Sequence, residues 1–205
     1  MIITSLVRRG KSELYKTYLD DEYVCLLEAE VIVKNKLKTG SNIEQDEFLK
    51  IREESENLTC RKQVLDYVSK GIKTRKQVFE HFRQKGYLPA SINNAIDMLE
   101  GYGYINDKYY AETFAKSKQN QKGKMYIVSS LKQKGVSDDI ISEVMQDFNT
   151  EQDAIMNIAK KYLKNKVIDA KTKEKLYRHL ISKGFEFGEV NAVVKAVLKD
   201  EMDNF

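Results

Sequence analysis

Apolar residues from residue 58 onward recur with helical spacing in three successive copies. In each copy, four apolar residues occupy positions i, i+3, i+4 and i+7, which together form one face of an α-helix. The three sets are Ile92, Ala95, Ile96 and Leu99; Ile141, Val144, Met145 and Phe148; and Val190, Val193, Val194 and Val197. Each set begins 49 residues after the set before it. A fixed period of this length indicates one structural unit copied in tandem, whose copies stack to bury a shared core.

A second helix is predicted before each of these helices, and it ends at a recurring Lys-Gly pair. The pairs are Lys85-Gly86, Lys134-Gly135 and Lys183-Gly184. Glycine adopts the left-handed conformation that ends a helix at little cost, so each pair predicts a helix end followed by a turn. Each repeat opens with one further helix, which comes first along the chain, and Leu65, Phe114 and Leu163 align within it. These opening helices lie around 60–70, 107–120 and 151–166. The sequence therefore predicts a mainly α fold of three tandem three-helix repeats that form an elongated array.

Residues 1–57 follow a different pattern. Their β-prone runs lie at 2–7, 14–19 and 23–27. Turn signals at Arg9-Gly10 and Asp20-Asp21 separate the runs, which predicts a small three-stranded β meander. A sheet this small is not stable alone, so we expect it to pack on short helices at 28–37 and 44–56. The predicted domains are 1–57 for the meander with its helices, and 58–106, 107–150 and 151–205 for the three repeats.

The composition is that of a globular protein, with 41% apolar and 32% charged residues among 205. No apolar run approaches the roughly 18 residues of a membrane span, and no signal-peptide pattern opens the chain. Cys25 and Cys60 form no CxxC pair, which favours reduced thiols in an intracellular protein. We therefore expect a cytoplasmic protein without membrane contact, and a monomer.

The charge is distributed unevenly along the chain. Residues 1–60 carry 9 Lys/Arg and 12 Asp/Glu, a balance of −3, whereas residues 61–205 carry 26 and 19, a balance of +7. A basic repeat array beside an acidic N-terminal segment is typical of a protein that meets an anionic partner. The partner classes left open at this point are nucleic acid and an acidic protein surface.

Sequence signatures of catalysis are missing. No GxxxxGK[ST], HExxH or GxSxG segment and no Cys/His cluster occurs. His81 and His179 are 98 residues apart, two full periods, so they hold equivalent positions in copies one and three and should not converge on one metal or proton. We predict no catalytic residue, no cofactor and no metal site, and hence a protein that is not an enzyme.

The candidate binding residues are basic pairs twelve residues before each Lys-Gly pair. They are Lys73 and Arg75, Lys122 and Lys124, and Lys171 and Lys173. The residue between the two members is Thr74, Gly123 or Thr172, each an acceptable N-cap. Cations there oppose the helix dipole, by about 0.3–1 kcal/mol each, while free N–H groups of a helix start can bind phosphate. The pairs therefore predict anion-binding helix starts. Four tyrosines cluster between copies one and two, and we expect them to pack in the core and between repeats and not to stack on bases. They are Tyr102, Tyr104, Tyr109 and Tyr110.

Three segments of the chain resemble the RecX family, the bacterial regulators of the RecA recombinase. The first is Lys73-Thr74-Arg75…Phe79…Phe82-Arg83-Gln84-Lys85-Gly86-Tyr87. The second is Leu99…Gly103-Tyr104-Ile105-Asn106-Asp107…Tyr110-Ala111, and the third is Lys122-Gly123…Ile127…Leu131…Lys134-Gly135-Val136. The β-prone N-terminal extension is similar to that of members from Gram-positive bacteria. One departure is Thr74…Gln77-Val78, where many members have Ser-x-x-Glu-Leu, so a contact that needs the glutamate is in question.

The resemblance implies a function in binding. RecX proteins are tandem three-helix repeats thought to lie in the groove of the RecA–single-stranded-DNA filament, where they inhibit strand exchange, ATP hydrolysis and coprotease activity. An array that spans several protomers would also gain affinity from multivalency. The alternative is a helical-repeat protein that binds single- or double-stranded DNA directly, because three-helix units resemble helix-turn-helix architecture.

Overall fold

The computed structural model describes residues 1–146, 148 and 152–202. Its described part holds three β-strands and ten α-helices. The strands are β1 Ile3–Arg8, β2 Leu14–Leu19 and β3 Glu22–Glu28. The helices are α1 Ala29–Lys34, α2 Gln45–Ser69, α3 Arg75–Gln84, α4 Pro89–Gly101, α5 Asp107–Lys118, α6 Lys124–Gln133, α7 Asp138–Gln146, α8 Gln152–Leu163, α9 Ala170–Ser182 and α10 Phe187–Met202. The predicted mainly α fold with a small N-terminal sheet is confirmed.

The chain divides into two compact units. The first contains residues 1–72 and 78–105, and the second contains residues 73–77 and the chain from 106 onward. In the first unit, β1, β2 and β3 form an antiparallel meander in that order. Asp20 and Asp21, both with positive φ, make the tight turn between β2 and β3. The predicted meander and its second turn are therefore present.

One long helix, α2, replaces two predicted helices. The expected helices at 44–56 and 60–70 are continuous because no glycine or proline interrupts residues 45–69. The N-terminal half of α2 buries Phe48, Ile51 and Leu58 against the sheet. Its C-terminal half buries a different set against α3 and α4, namely Cys60, Val64 and Val68. The predicted boundary at residue 57 therefore falls inside a helix that serves two cores.

The repeat pattern predicts the buried faces correctly. The four apolar positions of α4 and the four of α10 are all buried, and in α7 Ile141 and Met145 are buried. Gly86, Gly135 and Gly184 have φ values of 90°, 83° and 86°, which confirms the left-handed helix ends. Proline occupies the first turn of α4, as expected for a residue that lacks a backbone N–H.

Helix α2, which opens the first repeat, does not keep the 49-residue period relative to α8, which opens the third. Core positions of α2 correspond to core positions of α8 that lie 95 residues later, three fewer than two periods. The corresponding pairs are Cys60 with Ile155, Val64 with Ala159, and Val68 with Leu163. The predicted equivalence of Leu65 and Leu163 is therefore wrong, because Leu65 is 39% exposed and Leu163 is 4% exposed.

A buried carboxylate connects the sheet to α2 within the first unit. Glu28, at the end of β3, is 4% exposed. Its carboxylate accepts hydrogen bonds from the Thr59 hydroxyl at 2.9 Å and from Lys62 Nζ at 3.1 Å. Its backbone N–H donates to Ser55 Oγ at 2.8 Å. Side chains from successive turns of α2 thus satisfy this buried acid, which orients the helix on the sheet.

We predict that Lys62→Met lowers the free energy of unfolding by about 1.5–3 kcal/mol, the range for losing a hydrogen bond to a charged group. The substitution leaves the Glu28 carboxylate buried beside a neutral side chain. Urea denaturation followed by circular dichroism measures the change. Lys70→Met is the matched control, because its ion pair with Asp66 is exposed on both sides and should contribute less than about 0.5 kcal/mol. Equal losses in the two variants would contradict the prediction.

Candidate functional site

The start of α3 holds the first predicted basic pair. The Thr74 N–H donates to Gln77 Oε1 at 3.1 Å, and the Gln77 N–H donates to Thr74 Oγ1 at 3.2 Å. This reciprocal pair is a capping box, in which each side chain satisfies the other residue's backbone donor. Gln77 therefore supplies the capping contact that a glutamate would make, and the departure noted in the sequence leaves this local structure intact.

The same helix start contacts the Lys-Gly turn of copy two. The Thr74 hydroxyl donates to the Lys134 carbonyl at 2.6 Å, and Lys76 Nζ donates to the Gln133 carbonyl at 3.2 Å. A Cβ added at Gly135 would overlap the Lys76 side chain, so the two segments pack closely. We call this contact between 73–77 and 133–135 the first joint.

A half-buried acid accepts a hydrogen bond from a backbone donor of α3. The Arg75 N–H donates to Asp107 Oδ1 at 2.8 Å. Burial raises the pKa of the Asp107 carboxyl, and the hydrogen bond and positive charge of Arg75 only partly oppose that rise. The Asp107 carboxylate thus binds one N–H group of the helix start at which the sequence predicts an external anion.

The start of α6 repeats this arrangement one copy further on. The Gly123 N–H donates to the Lys183 carbonyl at 3.0 Å, and the Met125 N–H donates to the Gly184 carbonyl at 3.1 Å. Gly123 is the N-cap of α6 and is buried, and an added Cβ would overlap the Gly184 carbonyl. We call this contact between 123–126 and 183–185 the second joint.

The start of α9 differs from the other two. The predicted N-cap Thr172 is wrong, because α9 begins at Ala170 and Asp169 is its N-cap. The Thr172 N–H donates to Asp169 Oδ1 at 2.7 Å, and this bond is the main reason that the pKa of Asp169 lies below its usual value. Lys171 and Lys173 therefore lie within the first turn of the helix, both exposed.

The six candidate residues consequently lie at three separate helix starts with different surroundings. Lys73, Arg75, Lys122 and Lys124 are half-buried at the two joints, while the copy-three pair is exposed. Lys122 Nζ lies 4.1 Å from the centroid of the Tyr126 ring. At α6, two of the N–H groups that were predicted to be free, those of Gly123 and Met125, donate to carbonyls of copy three.

Sequence reasoning missed the joints. They depend on the carbonyls of the Lys-Gly turns, and a carbonyl carries no signature in the sequence. One signal was available, because glycine at 123 stands where threonine occurs at 74 and 172. The tyrosine prediction was also wrong in three of four cases: Tyr110 is buried, while the exposed ones, at 71%, 55% and 56%, are Tyr102, Tyr104 and Tyr109.

The two histidines are both half-buried and stack on tyrosines. His81 lies 4.1 Å from the Tyr67 ring and His179 lies 4.7 Å from the Tyr162 ring, between centroids. Burial is the main cause that lowers the pKa of each imidazole. Within the described residues, His, Cys, Asp and Glu side chains form no group of three that could hold a metal ion. No described helix is both long and apolar enough to cross a membrane.

The sequence of this chain matches those of known proteins. Residues 106–145 match the model of the second three-helix domain of RecX, and residues 149–194 match that of the third. A Regulatory protein RecX from Clostridium beijerinckii is 34% identical over 97% of this chain and 96% of its own length. One from Clostridium tetani is 33% identical over 94% and 92%, and one from Bacillus licheniformis is 28% identical over 92% and 74%.

Solved structures show the same fold. A crystal structure of a regulatory protein RecX superposes with a TM-score of 0.69 at 19% identity, over 97% of this chain and 98% of that one. The RecX structure from Lactobacillus salivarius gives 0.62 at 23% identity, over 69% of this chain and 96% of its own.

Proposed function

Because this chain belongs to the RecX family of regulatory proteins, we propose that it regulates the RecA recombinase by binding the RecA–single-stranded-DNA filament and inhibiting its activities. The observation that carries the proposal is the full-length match to a Regulatory protein RecX, which includes the N-terminal sheet as well as the repeats. The relatives are named as regulatory proteins, which is in keeping with a binding function.

The joints support binding to an extended partner. In the second unit, backbone and side-chain hydrogen bonds attach the segment 73–77 to copy two and copy two to copy three. Copies attached in this way present their basic residues in a fixed relation to each other. A fixed multivalent surface loses less entropy when it binds a repetitive partner, since its contacts are already positioned.

We expect RecA's single-strand-DNA-dependent ATP hydrolysis to fall when this protein is added at substoichiometric amounts. The decisive variant changes all six candidate residues to Glu and should lose the inhibition. They are Lys73, Arg75, Lys122, Lys124, Lys171 and Lys173. Each reversal subtracts two charges, so six take the net charge from +4 to −8. Circular dichroism confirms that the variant is folded.

The control for net charge reverses six exposed lysines elsewhere, which gives the same −8. They are Lys11, Lys16, Lys38, Lys116, Lys195 and Lys199. This variant should inhibit like the wild type. Loss of inhibition in both variants would show that overall charge, and not the candidate surface, is responsible. Inhibition that survives in both would move the docking surface elsewhere.

Direct DNA binding is the second candidate function, and the basic balance of +7 in residues 61–205 favours it. Binding dominated by phosphate contacts weakens linearly on a log–log plot of affinity against salt concentration. A wild-type protein that leaves RecA unaffected but binds DNA with a steep salt slope would replace the first proposal with this one.

A further inference from the structure

A concave cavity lies between copies two and three, within the second unit. Its volume is about 690 Å³. The loop before α6 contributes Lys122, helix α8 contributes Asp153, Asn157 and Lys161, and the end of α9 contributes His179 and Lys183. These side chains come from three different elements, and the second joint holds the loop of copy two against the helices of copy three that form the rest of the lining.

The cavity carries an excess of positive charge. Three lysines line it, and Asp153 is the one carboxylate among the described residues that do so. Within the described part of the chain, Lys122, Lys161 and Lys183 make no ion pair with a carboxylate, unlike the lysines that pair with Glu54, Asp66 and Glu143. Three ammonium groups that outnumber the one carboxylate around a concavity attract an anion with several oxygens.

Positive charge also surrounds His179, which lines this cavity. Its ring stacks on Tyr162, and Lys166 Nζ lies 3.3 Å from the centroid of that tyrosine ring. Burial lowers the pKa of His179, and the charges of Lys183, Lys166 and Lys122 lower it further. An anion bound in the cavity would offset those charges and favour the protonated imidazole, which is itself a donor.

We propose that this cavity binds a phosphate group, held by the ammonium groups of Lys122, Lys161 and Lys183, with His179 as an additional donor. A terminal phosphate group offers three acceptor oxygens to single-point donors such as lysine, whereas a carboxylate or a backbone phosphodiester offers two. The phosphate could belong to a nucleic-acid backbone or to a free phosphate compound. The site shares Lys122 with the candidate RecA-binding residues, but it rests on the lining of this cavity and is tested without RecA.

Nuclear magnetic resonance of the two histidines tests the site, with pyrophosphate as the probe. The chain has only His81 and His179, so each ring gives its own signal. Pyrophosphate should shift His179 saturably and raise its pKa, and should leave His81, in the first unit, unchanged. Because the bound anion favours the protonated ring, His179→Gln should weaken pyrophosphate binding more at pH 6 than at pH 8. Wild type and variant are compared at each pH, because pyrophosphate itself loses a proton in this range.

Variants assign the donors. Lys122→Gln and Lys183→Gln should each weaken pyrophosphate binding about tenfold, the effect of one hydrogen bond between charged groups. Lys175→Gln, an exposed change on the same helix as His179 and outside the six candidate residues, is the control and should bind like the wild type. Thermal melts show whether each variant is folded. Equal shifts of both histidines, or unchanged affinity in the Lys183 variant, would overturn the proposal.

A competition experiment identifies the source of the phosphate. An oligothymidylate of about ten nucleotides is long enough to occupy a typical single-strand site. Displacement of pyrophosphate by the oligonucleotide would indicate a nucleic-acid backbone. Pyrophosphate binding without such competition would indicate a free phosphate compound. Neither arm contains RecA, so failure here would leave the ATP-hydrolysis result unaffected.

Discussion

Phe185→Ala should lower the free energy of unfolding by about 3–5 kcal/mol, the usual cost of deleting a buried phenyl group. Phe185 follows the turn glycine of copy three and is fully buried. It packs in one core with Leu176, Leu180 and Val190, which come from α9 and α10. The deletion would leave a cavity where two helices of the copy meet. Urea denaturation followed by circular dichroism measures the change.

Phe187→Ala is the matched control, two residues along the chain. Phe187 is 68% exposed, and its ring contacts Tyr177 at 5.5 Å between centroids. Losing one exposed aromatic contact should cost less than about 1 kcal/mol. The two variants remove the same group, so their difference isolates burial. Similar losses would show that copy three does not depend on the core described above.

Gly123→Ala should destabilise the protein by about 1–3 kcal/mol, as expected for overpacking, and should open the second joint. Gly123 has a φ of −80°, which alanine adopts without strain, so the backbone conformation is not the reason. The reason is contact, because the new methyl group would overlap the Gly184 carbonyl and the Phe185 N–H. Backbone atoms cannot rotate away as a side chain can, so the joint itself must separate.

Amide hydrogen exchange locates this effect. The N–H groups of Gly123 and Met125 donate across the joint, so the Met125 amide of the variant should exchange faster. Gly188→Ala is the control, because nothing lies within 4 Å of an added Cβ in helix α10. Alanine there should be neutral or stabilising by up to about 1 kcal/mol, from its higher helix propensity. Unchanged Met125 exchange in Gly123→Ala would contradict the close contact.

The Gly123→Ala variant also tests whether the proposed function depends on the second joint. If RecA inhibition requires copies two and three to act together, Gly123→Ala should inhibit poorly at a temperature where its helices are still folded. Gly188→Ala should inhibit normally. Full inhibition by a protein with an open second joint would mean that each copy binds RecA separately.

The sequence by itself determined the elements within each repeat. The i, i+3, i+4, i+7 sets identified the buried faces of α4, α7 and α10, because burial on one helix face leaves a local period. The turn glycines identified the helix ends, since the left-handed conformation restricts the residue type. Both signals lie within a few residues of the feature that they predict.

Only the tertiary structure decided what lies between the elements. The helix starts at the basic pairs were predicted to have free N–H groups, but at α6 carbonyls about 60 residues away accept two of them. The three-residue offset between α2 and α8 depends on how each first helix slides against its own core. The exposure of Tyr102, and the presence of three lysines around one cavity, also depend on how distant segments pack together. Backbone carbonyls and packing offsets carry no residue-type signature, so the joints and the cavity are readable only when distant segments are brought together.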